Sequence, residues 1–252
     1  MTIRTAAIVA LAVALAVTAD GCAGGGGPHP GGAGTSGAGA PASGALDGCF
    51  TAARGAIETV PDAGSGTLTL GIAGTGPDVI VLSNESDEDL CSWLPLSARL
   101  AAAGYRVVLW DYGENSPPQE LAGLVKRLRT QGAIRVVLMG ASEGAKVSLI
   151  AGARIKPRVR GVVSLSAELI LQPGISVVAS VKHLRCPLLL VTADQDPYGS
   201  AIAAKSFLTA APGTAKHLVK VPGTGHGTAL LAGRSAAKTL PAILAFLHRA
   251  LT

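Results

Sequence analysis

The feature that most restricts the fold of this chain is a glycine-flanked serine between an apolar run and a helical pattern. Residues 134–139 read Ile-Arg-Val-Val-Leu-Met, residues 140–144 read Gly-Ala-Ser-Glu-Gly, and apolar residues then recur at helical spacing up to residue 151. A buried strand, a tight turn and a helix in this order place Ser142 at the tip of a sharp bend. Larger residues at the glycine positions would collide with the crossing strand and helix. The G-x-S-x-G pattern in this setting predicts that Ser142 is a nucleophile in a strained backbone conformation.

The amino-terminal segment predicts export. Met1–Arg4 forms a short basic start, and Ala6–Val17 is an uninterrupted apolar run. This run is too short to span a bilayer comfortably, but it suits the apolar region of a secretory signal. We therefore expect residues 1–21 to be a signal peptide.

Two forms of export remain open at the end of that segment. Cys22 follows Gly21, which resembles a bacterial lipoprotein signal whose cysteine is acylated after cleavage. Asp20 departs from the small or hydroxyl residue usual there, so cleavage after Ala19 and free secretion is the alternative. A lipidated Cys22 would anchor the protein to the membrane at the outer face of the cell.

Residues 22–48 predict a disordered tether. From residue 23 onward this segment is almost entirely Gly, Ala, Pro and Ser. Such a composition cannot bury enough apolar surface to offset the entropy of ordering the chain. A flexible chain of this length has an end-to-end distance of roughly 25–30 Å. Residues 49–252 are then expected to form one folded domain.

The predicted domain alternates between strands and helices. Runs rich in Val and Leu, separated by helical patterns, indicate a mostly parallel sheet of about eight strands with helices on both faces. The predicted strands are 56–60, 67–73, 79–82, 105–110, 134–139, 161–166, 187–192 and 217–221. The predicted helices are 90–103, 118–131, 175–184, 200–210 and 229–251.

Three segments in chain order carry a resemblance to a known family. The first is the turn around Ser142, the second is the strand and loop 187–197 with Asp196, and the third is the glycine-rich loop 221–227 with His226. Their Ser, Asp, His order is similar to that of the α/β-hydrolase fold, which this chain resembles from about residue 52 to its end. The resemblance implies a serine hydrolase without a cofactor.

The resemblance also implies a role for each of these residues. His226 would accept the proton of Ser142 and later give it to the leaving group, and a carboxylate would orient the imidazole. Asp196 fits the position of that acid best. Asp194 is the near alternative, and Glu168 is a third because some family members take their acid after the strand that ends near residue 166.

The oxyanion of the tetrahedral intermediate needs preorganised hydrogen-bond donors. The resemblance implies that one donor is the amide of Glu143 and that the second lies in the loop after strand 79–82. In that loop both Glu85 and Ser86 remain open as the donor. The loop is acidic through residue 89, which is typical of a helix amino terminus and also expected to repel anionic substrates.

The length of the chain after residue 166 limits what can cover the site. Residues 167–186 are too few for the large lid domain that the family often inserts there. We therefore expect an open site that admits small esters, lactones or an exposed acyl group.

The cysteines and charges complete the sequence-based expectations. In an exported protein, Cys49 and Cys91 are predicted to form a disulfide, and Cys186 is predicted to be a free buried thiol. No spacing resembles a metal site or a phosphate-binding loop. The net charge of +5 is spread along the chain, and the one basic cluster, 154–160, lacks the interleaved aromatics of a nucleic-acid site.

Together these features predict an exported serine hydrolase that cleaves a carboxylic ester through an acyl-Ser142 intermediate. Two alternatives stay open. One is a lactone or thioester hydrolase, similar to the dienelactone hydrolases, that uses the same three residues. The other is a cell-envelope binding protein that keeps the fold without turnover.

Overall fold

The computed structural model describes residues 45–62, 64–213 and 215–252. The predicted signal peptide, Cys22 and nearly all of the predicted tether lie outside these residues. The domain is built on an eight-stranded sheet. Its strands are β1 (Ala56–Pro61), β2 (Thr67–Ala73), β3 (Asp78–Ser83), β4 (Arg106–Trp110), β5 (Arg135–Ala141), β6 (Gly161–Leu165), β7 (Leu188–Ala193) and β8 (Lys216–Val221).

The sheet is mostly parallel, as predicted. From one edge to the other the order is β1-β2-β4-β3-β5-β6-β7-β8. Only the β1–β2 and β2–β4 pairs are antiparallel, and every other neighbouring pair is parallel. The central strands β5, β6 and β7 are almost completely buried, which explains why their sequences are nearly continuous apolar runs.

Helices cover both faces of the sheet. They are α1 (Leu94–Ala102), α2 (Pro117–Thr130), α3 (Glu143–Arg154), α4 (Val177–Val181), α5 (Ser200–Ala210) and α6 (Gly233–Leu251). One apolar core contains buried side chains of α2, α3, α4 and α5, and a second contains those of α1 and α6. Within the described residues, no helix is long and apolar enough to cross a membrane.

Three predicted helices differ from the observed ones at their amino-terminal ends. The predicted helix 90–103 begins as a 3-10 turn, Leu90–Trp93, and becomes α-helical where Pro95 occupies the first turn of α1. The predicted helix 229–251 likewise begins with a 3-10 turn and is α-helical only from Gly233. The predicted helix 175–184 is shorter, because Ile175–Ser176 pairs with Ile170–Gln172 as a small hairpin before α4.

That hairpin and α4 are all that lies between β6 and β7. The prediction that no large lid domain is present is therefore confirmed. At the start of the described chain, Ala45–Leu46 and Phe50–Thr51 form another short hairpin. A disulfide joins Cys49 in this hairpin to Cys91 in the first 3-10 turn. Cys186, two residues before β7, is a free cysteine and is partly buried.

Candidate active site

Ser142 occupies a strained turn between β5 and α3. Its backbone has φ +47° and ψ −111°, a region that residues with a side chain rarely adopt. Its amide donates to the carbonyl of Leu165 at 2.8 Å. A Cβ atom on Gly140 would overlap the backbone of Gly144, and one on Gly144 would overlap the carbonyl of Ser83. The two glycines therefore allow the crossing of strand and helix that presents Ser142.

His226 and Asp196 lie at the same edge of the sheet as Ser142. They follow β8 and β7, and the carboxyl ends of parallel strands meet at one edge. The His226 Nδ1 atom lies 2.8 Å from Asp196 Oδ2. Asp196 also accepts hydrogen bonds from the Ser200 hydroxyl at 2.6 Å and from the amide of Tyr198 at 2.9 Å.

These contacts decide the charge of Asp196. Burial of its side chain opposes ionisation, but the hydrogen bonds from Ser200, His226 and Tyr198 outweigh that effect and hold its pKa below the ordinary value. An ionised Asp196 requires hydrogen on His226 Nδ1, which leaves Nε2 as the nitrogen that faces the cleft. Asp194, the near alternative, is exposed and accepts from the amide of Gly223 at 2.9 Å, so it holds a loop instead.

Glu168 lies on the opposite side of the imidazole from Asp196. Its Oε1 atom accepts a hydrogen bond from the Ser142 hydroxyl at 3.3 Å and lies 3.4 Å from His226 Nε2. Its Oε2 atom forms an ion pair with Lys146 Nζ at 2.5 Å. Glu168 was expected as an alternative acid behind the histidine, but the structure places it against the nitrogen that faces the serine.

The contact between Ser142 and His226 therefore differs from the sequence-based expectation. The resemblance implied that the hydroxyl and the imidazole are direct hydrogen-bond partners. In the described part of the chain, no hydrogen bond joins them, and both contact the same oxygen of Glu168. The sequence could not reveal this, because Glu168 reaches the site only through the turn after β6.

The loop after β3 packs against the start of α3 and against the loop that carries His226. Its Asn84 carbonyl accepts from the amide of Gly144 at 2.9 Å and from the Tyr112 hydroxyl at 2.6 Å. The Glu85 side chain is buried and accepts from both the amide and the hydroxyl of Thr228, at 2.7 and 2.6 Å. The predicted oxyanion donors stand around Ser142, since Glu143 begins α3 and Glu85 and Ser86 line the cleft.

A cleft with a cavity of about 450 Å³ lies beside Ser142. Its charged side chains are mostly acidic, and among the described residues Lys146 is the only lysine or arginine in the lining. It is lined by Glu85, Ser86, Asp87, Glu88, Ser142, Lys146, Glu168, Ile170, Tyr198, His226, Thr228 and Ala229. The Tyr198 ring packs on the imidazole, with 4.4 Å between ring centroids. No group of three or more His, Cys, Asp or Glu residues in the described ranges is arranged to hold a metal ion.

Comparison with solved structures identifies the architecture. An enol-lactonase from Burkholderia xenovorans LB400 superposes with a TM-score of 0.64 at 15% identity, over 76% of this chain and 100% of the enol-lactonase. The Pyrococcus furiosus esterase PF2001 gives a TM-score of 0.67 at 14% identity, over 78% of this chain and 91% of the esterase. A thermophilic esterase from Thermogutta terrifontis gives a TM-score of 0.61 at 16% identity, over 78% of this chain and 100% of that esterase. The chain has the α/β-hydrolase fold.

No protein-family model and no curated protein matches the sequence. At identities this low, the superpositions establish the α/β-hydrolase fold alone. The role of each side chain must therefore be argued from the residues of this chain.

Three residues of this α/β-hydrolase site were not singled out from the sequence. Lys146 lies four residues after Ser142, one turn along α3, and this spacing could have placed it beside that serine. Ser200 stands at the first position of α5, four residues after Asp196. Thr228 follows His226 closely in the chain, but its contact with Glu85 carries no local sequence signal.

Proposed function

We propose that this protein is a serine hydrolase that cleaves small carboxylic esters through an acyl-Ser142 intermediate. One observation carries the proposal. A serine held at φ +47° lies in a cleft at the same sheet edge as an imidazole whose Nδ1 atom is 2.8 Å from a buried carboxylate. Backbone strain of this kind persists where the surrounding structure maintains it, commonly at functional sites.

In the proposed reaction, Ser142 Oγ attacks the ester carbonyl while its proton passes toward His226. Asp196 keeps the hydrogen of the imidazole on Nδ1 and stabilises the imidazolium that forms. The amide of Glu143, together with that of Glu85 or Ser86, would bind the oxyanion. The imidazolium then protonates the leaving alkoxide oxygen as its bond to carbon breaks, and water repeats the sequence to release the acid.

The cleft supports a preference for small substrates. A cavity of about 450 Å³ holds a short acyl group together with a small alcohol. Only a small hairpin and α4 lie between β6 and β7, where a large lid would be inserted. We expect p-nitrophenyl acetate and butyrate to be hydrolysed faster than the laurate and palmitate esters, and a preference for the long chains would contradict the open-cleft argument.

Two experiments test the proposal directly. A fluorophosphonate probe should label Ser142 in the native protein, and the S142A and H226A variants should not be labelled. Hydrolysis of p-nitrophenyl acetate should disappear in the same two variants. A correctly folded native protein that is neither labelled nor active would favour the alternative, a binding protein that keeps the fold.

The position of Glu168 is the observation that favours this alternative. Its Oε1 atom contacts both Ser142 and His226, so the direct contact expected in a serine hydrolase is absent from the described residues. A lactone substrate is the nearer alternative, since the same attack would open a cyclic ester. Assaying small lactones beside the linear esters separates these substrate classes.

We also propose that the protein acts outside the cytoplasm. The basic start, the apolar run and Cys22 support a lipoprotein signal, and a disulfide between Cys49 and Cys91 suits an oxidising compartment. Mass spectrometry of the amino-terminal peptide tests the anchor. A diacylglyceryl Cys22 supports lipidation, whereas a mature chain beginning at Asp20 supports free secretion.

A further inference from the structure

We propose that Glu168 is a catalytic residue that carries the proton between Ser142 and His226. This inference rests on the proposed function, because it assigns a further role within the same reaction. From the sequence and the resemblance, Glu168 was expected only as an alternative to Asp196 as the acid that orients His226. The structure shows both carboxylates in the site at once, on opposite nitrogens of one imidazole.

The geometry places one carboxylate oxygen on the path of the proton. Glu168 Oε1 accepts from the Ser142 hydroxyl at 3.3 Å and lies 3.4 Å from His226 Nε2. The hydrogen bond from Ser142 is long, as those in unliganded active sites often are, and the Nε2 lone pair can receive a proton from Oε1 once Oε1 has taken it from Ser142. A proton that leaves Ser142 Oγ therefore meets Oε1 before it can reach the imidazole.

The surroundings keep Glu168 in this place. Its other oxygen is paired with Lys146, whose side chain is only 13% exposed, whereas that of Glu168 is 21% exposed. Swinging the carboxylate out of the cleft would leave the Lys146 ammonium largely desolvated and without a countercharge, which is unfavourable. The buried carboxylates of the neighbouring loops are already engaged, because Asp196 binds His226 Nδ1 and Glu85 binds Thr228.

The proton transfers balance through this arrangement. As Ser142 Oγ bonds to the ester carbonyl carbon, its proton moves to Glu168 Oε1, and a proton passes from Oε1 to the free lone pair of His226 Nε2. When the carbon–oxygen bond to the alcohol breaks, the leaving alkoxide takes that proton from His226 Nε2 and departs as the alcohol. The acyl-serine, neutral His226 and ionised Glu168 remain, and a water molecule replaces the alcohol in the second half-reaction.

Variants at Glu168 test this role. The burst of p-nitrophenol from p-nitrophenyl acetate reports the acylation rate, and E168A and E168Q should each lower it about 100-fold, within the usual range for loss of a proton-transfer group. KM should change much less than kcat. E114Q, which removes an exposed carboxylate in the loop before α2, serves as the matched control and should behave as the native protein.

Chemical rescue separates catalysis from a structural role. Formate or acetate added to E168A should restore the acylation rate in proportion to its concentration, because a small carboxylate can occupy the emptied space. The same anions should not rescue S142A. A structural role predicts a loss of rate without rescue, and that result would overturn the proposal.

The remaining outcomes are also decisive. An E168A variant that is as fast as the native protein, or faster, would show that Glu168 only obstructs the contact of Ser142 with His226. If E168A does not fold, E168Q tests the proposal instead, because it keeps the side-chain volume. A native acylation rate in E168Q would overturn the proton relay through Glu168. Inactivity of S142A and H226A in the same assay supports the proposed function even when Glu168 fails, so the two failures are distinguishable.

Discussion

The Glu85 carboxylate accepts hydrogen bonds from Thr228, two residues beyond His226, although Glu85 and Thr228 are 143 positions apart in the chain. One carboxylate oxygen accepts from both the amide and the hydroxyl of Thr228. Gly227, between His226 and Thr228, has φ +52°, and a Cβ atom there would overlap this carboxylate. The loop that carries His226 is thus held directly by the loop after β3.

We expect E85Q to lower kcat/KM for p-nitrophenyl acetate by roughly 10–100-fold, because a charge-assisted hydrogen bond contributes about 1.5–3 kcal/mol. Its loss would allow the His226 loop to move. Steady-state kinetics measure the effect, and E114Q, which changes an exposed carboxylate outside the cleft lining, is the control. Equal activity of E85Q and the native protein would mean that Thr228 does not position the histidine.

The turn at Ser142 allows a prediction about stability. A Cβ atom on Gly144 would overlap the carbonyl of Ser83, which belongs to the buried strand β3. G144A should therefore destabilise the protein by about 1–3 kcal/mol, the usual cost of forcing an extra methyl group into a packed region. Urea unfolding measures it. G213A is the control, because a Cβ atom there meets no heavy atom within 4 Å.

The turn could be predicted because its requirements are local. A strand, two glycines around a serine and a helix are contiguous in sequence, so the backbone conformation of Ser142 follows from residues 134–151. The strands β3, β5, β6 and β7 were predictable for a related reason. Each is buried on both faces and therefore reads as a largely apolar run.

The contacts across the cleft could not be predicted in the same way. Glu168 reaches Ser142 across 26 positions, and Glu85 reaches Thr228 across 143. A carboxylate at a strand end looks the same in sequence whether it faces solvent, caps a helix or enters the site. The hairpin of Ile175–Ser176 was missed for a similar reason, because two-residue strands have too little periodicity to distinguish them from a helix.

The depressed pKa of Asp196 predicts how acid affects the protein. Burial opposes ionisation, but hydrogen bonds led by that of Ser200 hold its pKa below the ordinary 3.8. The folded state thus gains stability from this group above pH 3.8 and loses it as pH falls through the lower folded-state pKa. D196N should abolish this part of the acid dependence, measured by urea unfolding between pH 2 and 6.

D196N should also be nearly inactive, because an amide in place of the carboxylate can hold His226 in the wrong tautomer. In serine proteases the corresponding change lowers kcat about 10,000-fold. D194N is the matched control, since Asp194 holds the amide of Gly223 and makes no contact with the imidazole among the described hydrogen bonds. A larger loss of kcat in D194N than in D196N would reverse the assignment of the acid.

Asp111 predicts a pH dependence of the opposite sign. Burial, together with the nearby Asp47 carboxylate, raises its pKa from 3.8 to about 7. Between these values the folded state holds a proton that the unfolded state has lost, so stability falls as pH rises from about 4 to 7. D111N keeps an oxygen that can accept from Asn84 and should flatten this decline, whereas D87N, at an exposed position, should not.

The disulfide allows a prediction that also bears on the compartment. Cys49 and Cys91 are 42 positions apart, and closing a loop of that length stabilises a protein by about 4 kcal/mol in the chain-entropy treatment. C49S, C91S and the double variant should each lose a similar amount of stability, because either single change opens the loop. Reduction of the native protein should produce the same loss.

C186S is the control for these variants. Burial raises the pKa of the Cys186 thiol to about 12, so this cysteine should react slowly with iodoacetamide at neutral pH and should not exchange with the disulfide. Urea unfolding with and without a reductant measures the difference. If reduction left the unfolding free energy unchanged, the 49–91 loop would already be held by the packing of Phe50 and Trp93, which are both fully buried. The disulfide would then carry no argument for an oxidising compartment.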